Sequence, residues 1–157
     1  IDVNRSNSIS STNWLFNIDK RLPLKLVIPE IQKLQAKKEK SSHKKEGSEN
    51  YFTYMDKEKK ALAFLPFTSV EYKLKSFDEK NLEFYLLKNN FFRIGDDIKS
   101  IDKLNDFINK VSSENQSRII FSFDKQMSFE KYMDYKIIIK NLDISKKILT
   151  TDKEFIY

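Results

Sequence analysis

Cysteine is absent from the 157 residues, so disulfides and thiolate chemistry are both excluded. A single histidine, His43, rules out a multi-histidine metal cluster, and no sequence pattern supports a carboxylate-only metal site. Glycine occurs only at Gly47 and Gly95, which excludes a P-loop and a dinucleotide-binding fingerprint. No run approaches the ~20 apolar residues that span a bilayer, and no signal-peptide pattern opens the chain. The first residue is Ile1 rather than methionine, which fits a fragment whose targeting or membrane segment lies upstream. No catalytic group, metal or cofactor is expected.

What is present describes a folded domain with a solvated surface. Lys and Arg outnumber Asp and Glu by 29 to 23, yet 13 Phe and 7 Tyr accompany them. "NRSNSISSTN" is polar, and residues 1–21 read as a flexible lead-in. In "KRLPLKLVIPEI", Leu22, Leu24, Leu26 and Ile28 alternate with Pro23, Lys25 and Val27. That period of two predicts an extended segment over 22–30, and Pro23 and Pro29 place it at a sheet edge or outside the central sheet. Residues 31–80 read as a lysine-rich linker and a β-rich insertion. In the insertion, "NYFTYMDKEKKALAFLPF" gives two strands around Asp56 to Lys60, and "SVEYKLKSF" gives a third.

From Leu82 the pattern sharpens. "LEFYLLKNNFFRIGDD" predicts a hairpin turning at Asn89 and Asn90, because asparagine tolerates the left-handed backbone of tight turns. "SIDKLNDFINKV" places Ile101, Leu104, Phe107, Ile108 and Val111 on one helical face, with Ser100 as a cap. Residues 118–123 predict a buried strand, and Ser128 caps a helix reaching about Leu142, although Ile137 to Ile139 fits strand as well as helix. "KKILTT" predicts the last strand. The fold class expected is α+β: a β-β-α-β-α-β core, one sheet with two helices on one face, plus the β-rich insertion.

That order, carried by "LEFYLLKNNFFRIGDD", "IDKLNDFI", "RIIFSFDKQMSFEKYMDYKI" and "KKILTT", resembles the periplasmic domain of the ExbD/TolR family, accessory subunits of proton-driven inner-membrane motors. "LPLKLVIPE" is similar to the short segment that the family places between its membrane helix and this domain. The resemblance covers residues 81–157 and implies a non-enzymatic coupling domain in the periplasm, its parent anchored in the bacterial inner membrane. It also implies a homodimer, a pentameric ExbB/TolQ-like channel partner, and an energised TonB-like envelope-spanning protein or peptidoglycan. The chain departs from the family in its long insertion, and in Asn141, Leu142 and Asp143 where a glycine often closes the last helix. The proton-carrying aspartate of the family's membrane helix has no counterpart here.

Two sets of residues emerge as site candidates. Leu22, Leu24, Leu26, Val27 and Ile28 are expected to form a partner-binding strand, because an exposed edge pairs readily with a second copy or a peptide. Asp124 ends the central strand. As a general acid it would need a partner that its sequence neighbours do not supply, so Asp124 and Ser128 are expected to order a turn. The tract from Lys37 to Lys45 is diluted by Glu39 and Glu46 and reads as a solvated linker, with His43 a bystander. The competing functional reading is a stand-alone α+β module that binds an anionic polymer such as RNA by charge.

Overall fold

A computed structural model describes residues 2–3, 13–41, 47–77, 82–114, 119–142 and 152–157. In chain order the elements are β1 (Asp2–Val3), β2 (Trp14–Asn17), α1 (Leu24–Glu39), β3 (Asn50–Asp56), β4 (Ala61–Pro66), β5 (Glu71–Lys73), β6 (Leu82–Leu86), β7 (Phe91–Ile94), β8 (Asp97–Ser100), a 3-10 turn (Ile101–Lys103), α2 (Leu104–Glu114), β9 (Ile119–Phe123), α3 (Phe129–Asn141) and β10 (Lys153–Ile156). They make an α+β fold with two mixed sheets: a four-stranded one ordered β1-β2-β3-β4, and a six-stranded one ordered β5-β10-β9-β6-β7-β8.

The six-stranded sheet grows from the hairpin read in the sequence. Asn90 takes φ 67 in the turn, and Leu86 pairs with Phe92. A second hairpin follows that the sequence did not announce. Gly95, at φ 56, turns β7 into β8, the position where a hairpin favours glycine. Strand β8 was invisible because its one apolar residue, Ile98, points to solvent at 58% exposure. Ser100 therefore ends a strand and makes no side-chain cap to the following backbone. Its hydroxyl instead bonds to Asp102, which holds that carboxyl below its ordinary value.

Register fixes the helix-bearing face. Leu82, Phe84 and Leu86 of β6 lie beside Ile119, Phe121 and Phe123 of β9. Phe92 packs edge-on against Phe107 of α2 at 5.9 Å, and Phe123 packs edge-on against Tyr132 of α3 at 5.0 Å. Both helices thus cover the same side.

Three expectations are corrected. Residues 1–21 are not a lead-in throughout: Trp14–Asn17 is a strand parallel to β3, and Trp14, Phe16 and Ile18 are buried at alternate positions. The segment 22–30 is not an edge strand, because α1 starts at Leu24. The same letters carry two periods, and the one at three- and four-residue spacing prevails: Leu24, Val27, Ile28 and Ile31 are all fully buried, while Leu26 is 56% exposed. Pro23 stands at the N-cap, and Pro29 in the second turn removes a single helix N–H, the one that would reach back to Lys25. The helix runs on to Glu39, so the first part of 31–80 is not linker either. The expected strand at 146–151 lies outside the described residues, and the last described strand, β10, runs parallel between β5 and β9.

Helix α3 joins the two sheets. Phe52 of β3 stacks on Phe67 at 3.8 Å and meets Phe129 of α3 edge-on at 5.2 Å, while Tyr132 of the same helix lies against Phe123 of β9. Side chains from Trp14 to Ile156 consequently belong to one core.

Candidate functional site

The predicted partner segment and the predicted turn meet. Backbone N–H groups at the start of a helix have no partner inside it. Here two helices supply each other. Leu24 and Lys25, opening α1, donate to the carbonyls of Met127 (2.9 Å) and Lys125 (3.0 Å) just before α3. Phe129 and Glu130, opening α3, donate to the carbonyls of Leu22 (2.8 Å) and Lys20 (2.9 Å) just before α1. Pro23 and Ser128 sit opposite one another in an antiparallel bridge at the centre. Pro23 can serve as the N-cap of α1 without a capping side chain because the facing loop provides the acceptors.

Both sides of this clamp are shaped locally. On one, Arg21 Nη2 donates to Asp19 Oδ2 at 2.6 Å, and these guanidinium bonds hold the Asp19 carboxyl well below the usual carboxylate range. On the other, Asp124 Oδ1 accepts the Gln126 N–H at 2.8 Å, the Asp124 carbonyl accepts from Met127, and Ser128 Oγ accepts the Lys131 N–H at 3.3 Å. The Asp124 N–H donates to Leu86 of β6, so the turn is anchored to the sheet. Of the five partner-binding candidates, Leu24, Val27 and Ile28 are sealed in the core, Leu22 is half-buried against it, and only Leu26 faces solvent. They do not form one pairing surface. Ahead of the helix, Lys20 and Arg21 form a turn closed by the Leu22 N–H on the Asp19 carbonyl, Pro23 is the single bridge residue, and the Lys20 and Leu22 carbonyls face α3.

A second polar feature had no local signal in the sequence. Tyr132 donates to Glu154 Oε2 at 2.6 Å, the Tyr72 and Tyr132 hydroxyls lie 3.3 Å apart, and Lys136 pairs with the other Glu154 oxygen. These residues come from β5, α3 and β10. Burial, then the charge on Glu154, pushes both tyrosines well above the ordinary phenol range. Lys38 is also buried, its ammonium 2.8 Å from Asn50 Oδ1 and over the Trp14 ring. Both clusters tie elements together in the interior, with Tyr72, Tyr132, Glu154 and Lys38 all buried.

Outside the core, an open groove of about 1020 Å³ runs between α3 and β3, floored by Tyr54, Phe129, Met133 and Ile137. Lys57 reaches across it to Glu130 and Asp134, each at 3.8 Å. Other lysines are paired too, Lys33 with Glu30 and Lys73 with Glu71. Lys44, Lys45 and His43 lie outside the described residues. Among the described residues no cluster of His, Asp and Glu could hold a metal, and no helix is long and apolar enough to cross a membrane. No family model, curated protein or solved structure matches the chain.

Proposed function

We propose that the chain is the periplasmic coupling domain of an ExbD/TolR-like motor subunit, non-enzymatic and acting as a homodimer beside a pentameric channel partner. The observation that carries this reading is the course of residues 82–156. There, hairpin, helix, strand, helix and strand follow one another with both helices on one face, strand β8 being added between the hairpin and the first helix and the last strand lying at Lys153–Ile156 instead of at 146–151. The clamp gives such a domain a path for force. A displacement arriving from the N-terminal side loads Lys20 to Lys25. Four backbone bonds pass it to the turn after β9 and to α3, which touches both sheets. The motion would be delivered to a TonB-like envelope-spanning protein or to peptidoglycan. The RNA-binding alternative gains nothing from lysines already matched to carboxylates.

The test is genetic and topological. The full gene should encode a membrane helix with a central aspartate upstream of Ile1, and its deletion should abolish uptake or envelope integrity that depends on the proton-motive force. A reading frame without such a helix, or a deletion with no such phenotype, overturns the proposal.

A further inference from the structure

Strand β4 ends the four-stranded sheet and has no second neighbour among the described residues. The Phe67 N–H reaches inward to the Asn50 carbonyl, so by alternation residues 61, 63 and 65 aim their main-chain groups at β3. Leu62, Phe64 and Pro66 therefore aim theirs outward. Pro66 sits where its missing N–H is not needed, as expected of an edge. Other outer strands carry charge, which discourages pairing: Glu71 and Lys73 on β5, Asp97 and Lys99 on β8, Asp2 on β1. Strand β4, "ALAFLP", carries none. Its outward residues are also apolar, with Leu62 61% and Phe64 45% exposed beside Met55 at 62%.

We propose that β4 pairs antiparallel with β4 of a second copy, about a twofold axis through Ala63. Two observations select a copy of the same chain. The edge is self-complementary: Leu62 and Phe64 each offer one N–H and one carbonyl, so Leu62 exchanges both bonds with Phe64 of the second copy, and the reverse, giving four bonds. The ends are opposite in net charge, since the turn before the strand carries Lys57, Lys59 and Lys60 against Asp56 and Glu58, while Glu49, held by Thr68 at 2.6 Å, lies at its far end. An antiparallel pair puts each lysine turn beside the other copy's glutamate. Pairing about one axis uses the edge of both copies and closes at a dimer. The inference gives an interface to the homodimer of the coupling reading but is argued from β4 alone, so a dimer indifferent to Leu62→Pro would overturn the β4 interface and leave that reading standing.

The absence of native cysteine makes the test clean. Non-hydrogen-bonded antiparallel partners approach to about 4.5 Å between Cα atoms, within disulfide reach, so Ala63→Cys should give a cross-linked dimer on mild oxidation while Met55→Cys, one strand further in, should not. Leu62→Pro removes two of the four bonds without touching the β3 ladder. It should weaken association in sedimentation experiments about tenfold or more with an unchanged thermal melt. A monomer from micromolar to millimolar concentration, a dimer indifferent to Leu62→Pro, or equal cross-linking through Met55→Cys would each overturn the proposal.

Discussion

The Tyr132 hydroxyl and Glu154 Oε2 are 2.6 Å apart, joining the helix that both sheets share to the last described strand. Both side chains are buried, so the bond is made in place of water rather than beside it. Tyr132→Phe leaves a buried carboxylate oxygen and the Tyr72 hydroxyl short of a partner and should cost about 1–3 kcal/mol. Glu154→Ala strands the Lys136 ammonium as well and should cost about 3 kcal/mol or more. Urea denaturation measures both; two losses below half of these values would mean that the network is replaced by water.

Alkaline pH should unfold the protein through its tyrosines. Burial raises Tyr72 and Tyr132, and pushes Tyr135 up to about 12, against 10.0 for an exposed phenol. The folded state therefore keeps its phenol protons longer than the unfolded one. The stability they contribute is intact below pH 10 and falls as pH rises from there through the folded values. Phenolate absorbance should appear in step with loss of the circular dichroism signal. Complete ionisation near pH 10 with native dichroism would contradict this.

Helix and strand readings of the entry segment make opposite demands on adjacent residues. Val27→Asp buries a charge without a partner and should prevent folding. Leu26→Asp stands exposed in the first turn, where a carboxylate suits the helix dipole, and should change stability by no more than about 0.5 kcal/mol. A thermal melt of the two variants decides, and equal damage would restore the strand.

Residues 82–157 alone should fold poorly. Phe129 and Tyr132 of α3 lean on Phe52 of the other sheet, and losing that cover exposes aromatic surface. The isolated fragment should bind a hydrophobic dye and aggregate, whereas a fragment that melts cooperatively without dye binding would show that α3 needs only one sheet.

The hairpin at Asn89 and Asn90, the strand Ile119–Phe123 and the helix behind Ser128 were all legible, because each rests on local chemistry: a turn residue, an unbroken apolar run, a capping hydroxyl. Strand β8 was not, since one outward isoleucine makes no pattern. The clamp residues were picked out separately, one group as a partner strand and the other as a turn. Their meeting could not be read, because backbone bonds between residues a hundred positions apart carry no side-chain signature.

By itself the sequence determined the α+β class, strands β6, β7 and β9 of the larger sheet with the helix behind Ser128, and the absence of cysteine and of any glycine-rich phosphate loop. Tertiary structure decided the rest. Leu24, Leu26 and Ile28 satisfy a period of two, while Leu24, Val27, Ile28 and Ile31 satisfy a helical one, and local propensity cannot choose between them. The choice came from outside the segment: the carbonyls of Lys125 and Met127 were placed to take the first helical N–H groups, and the core lay along the face where Val27 and Ile31 are buried and Leu26 is not.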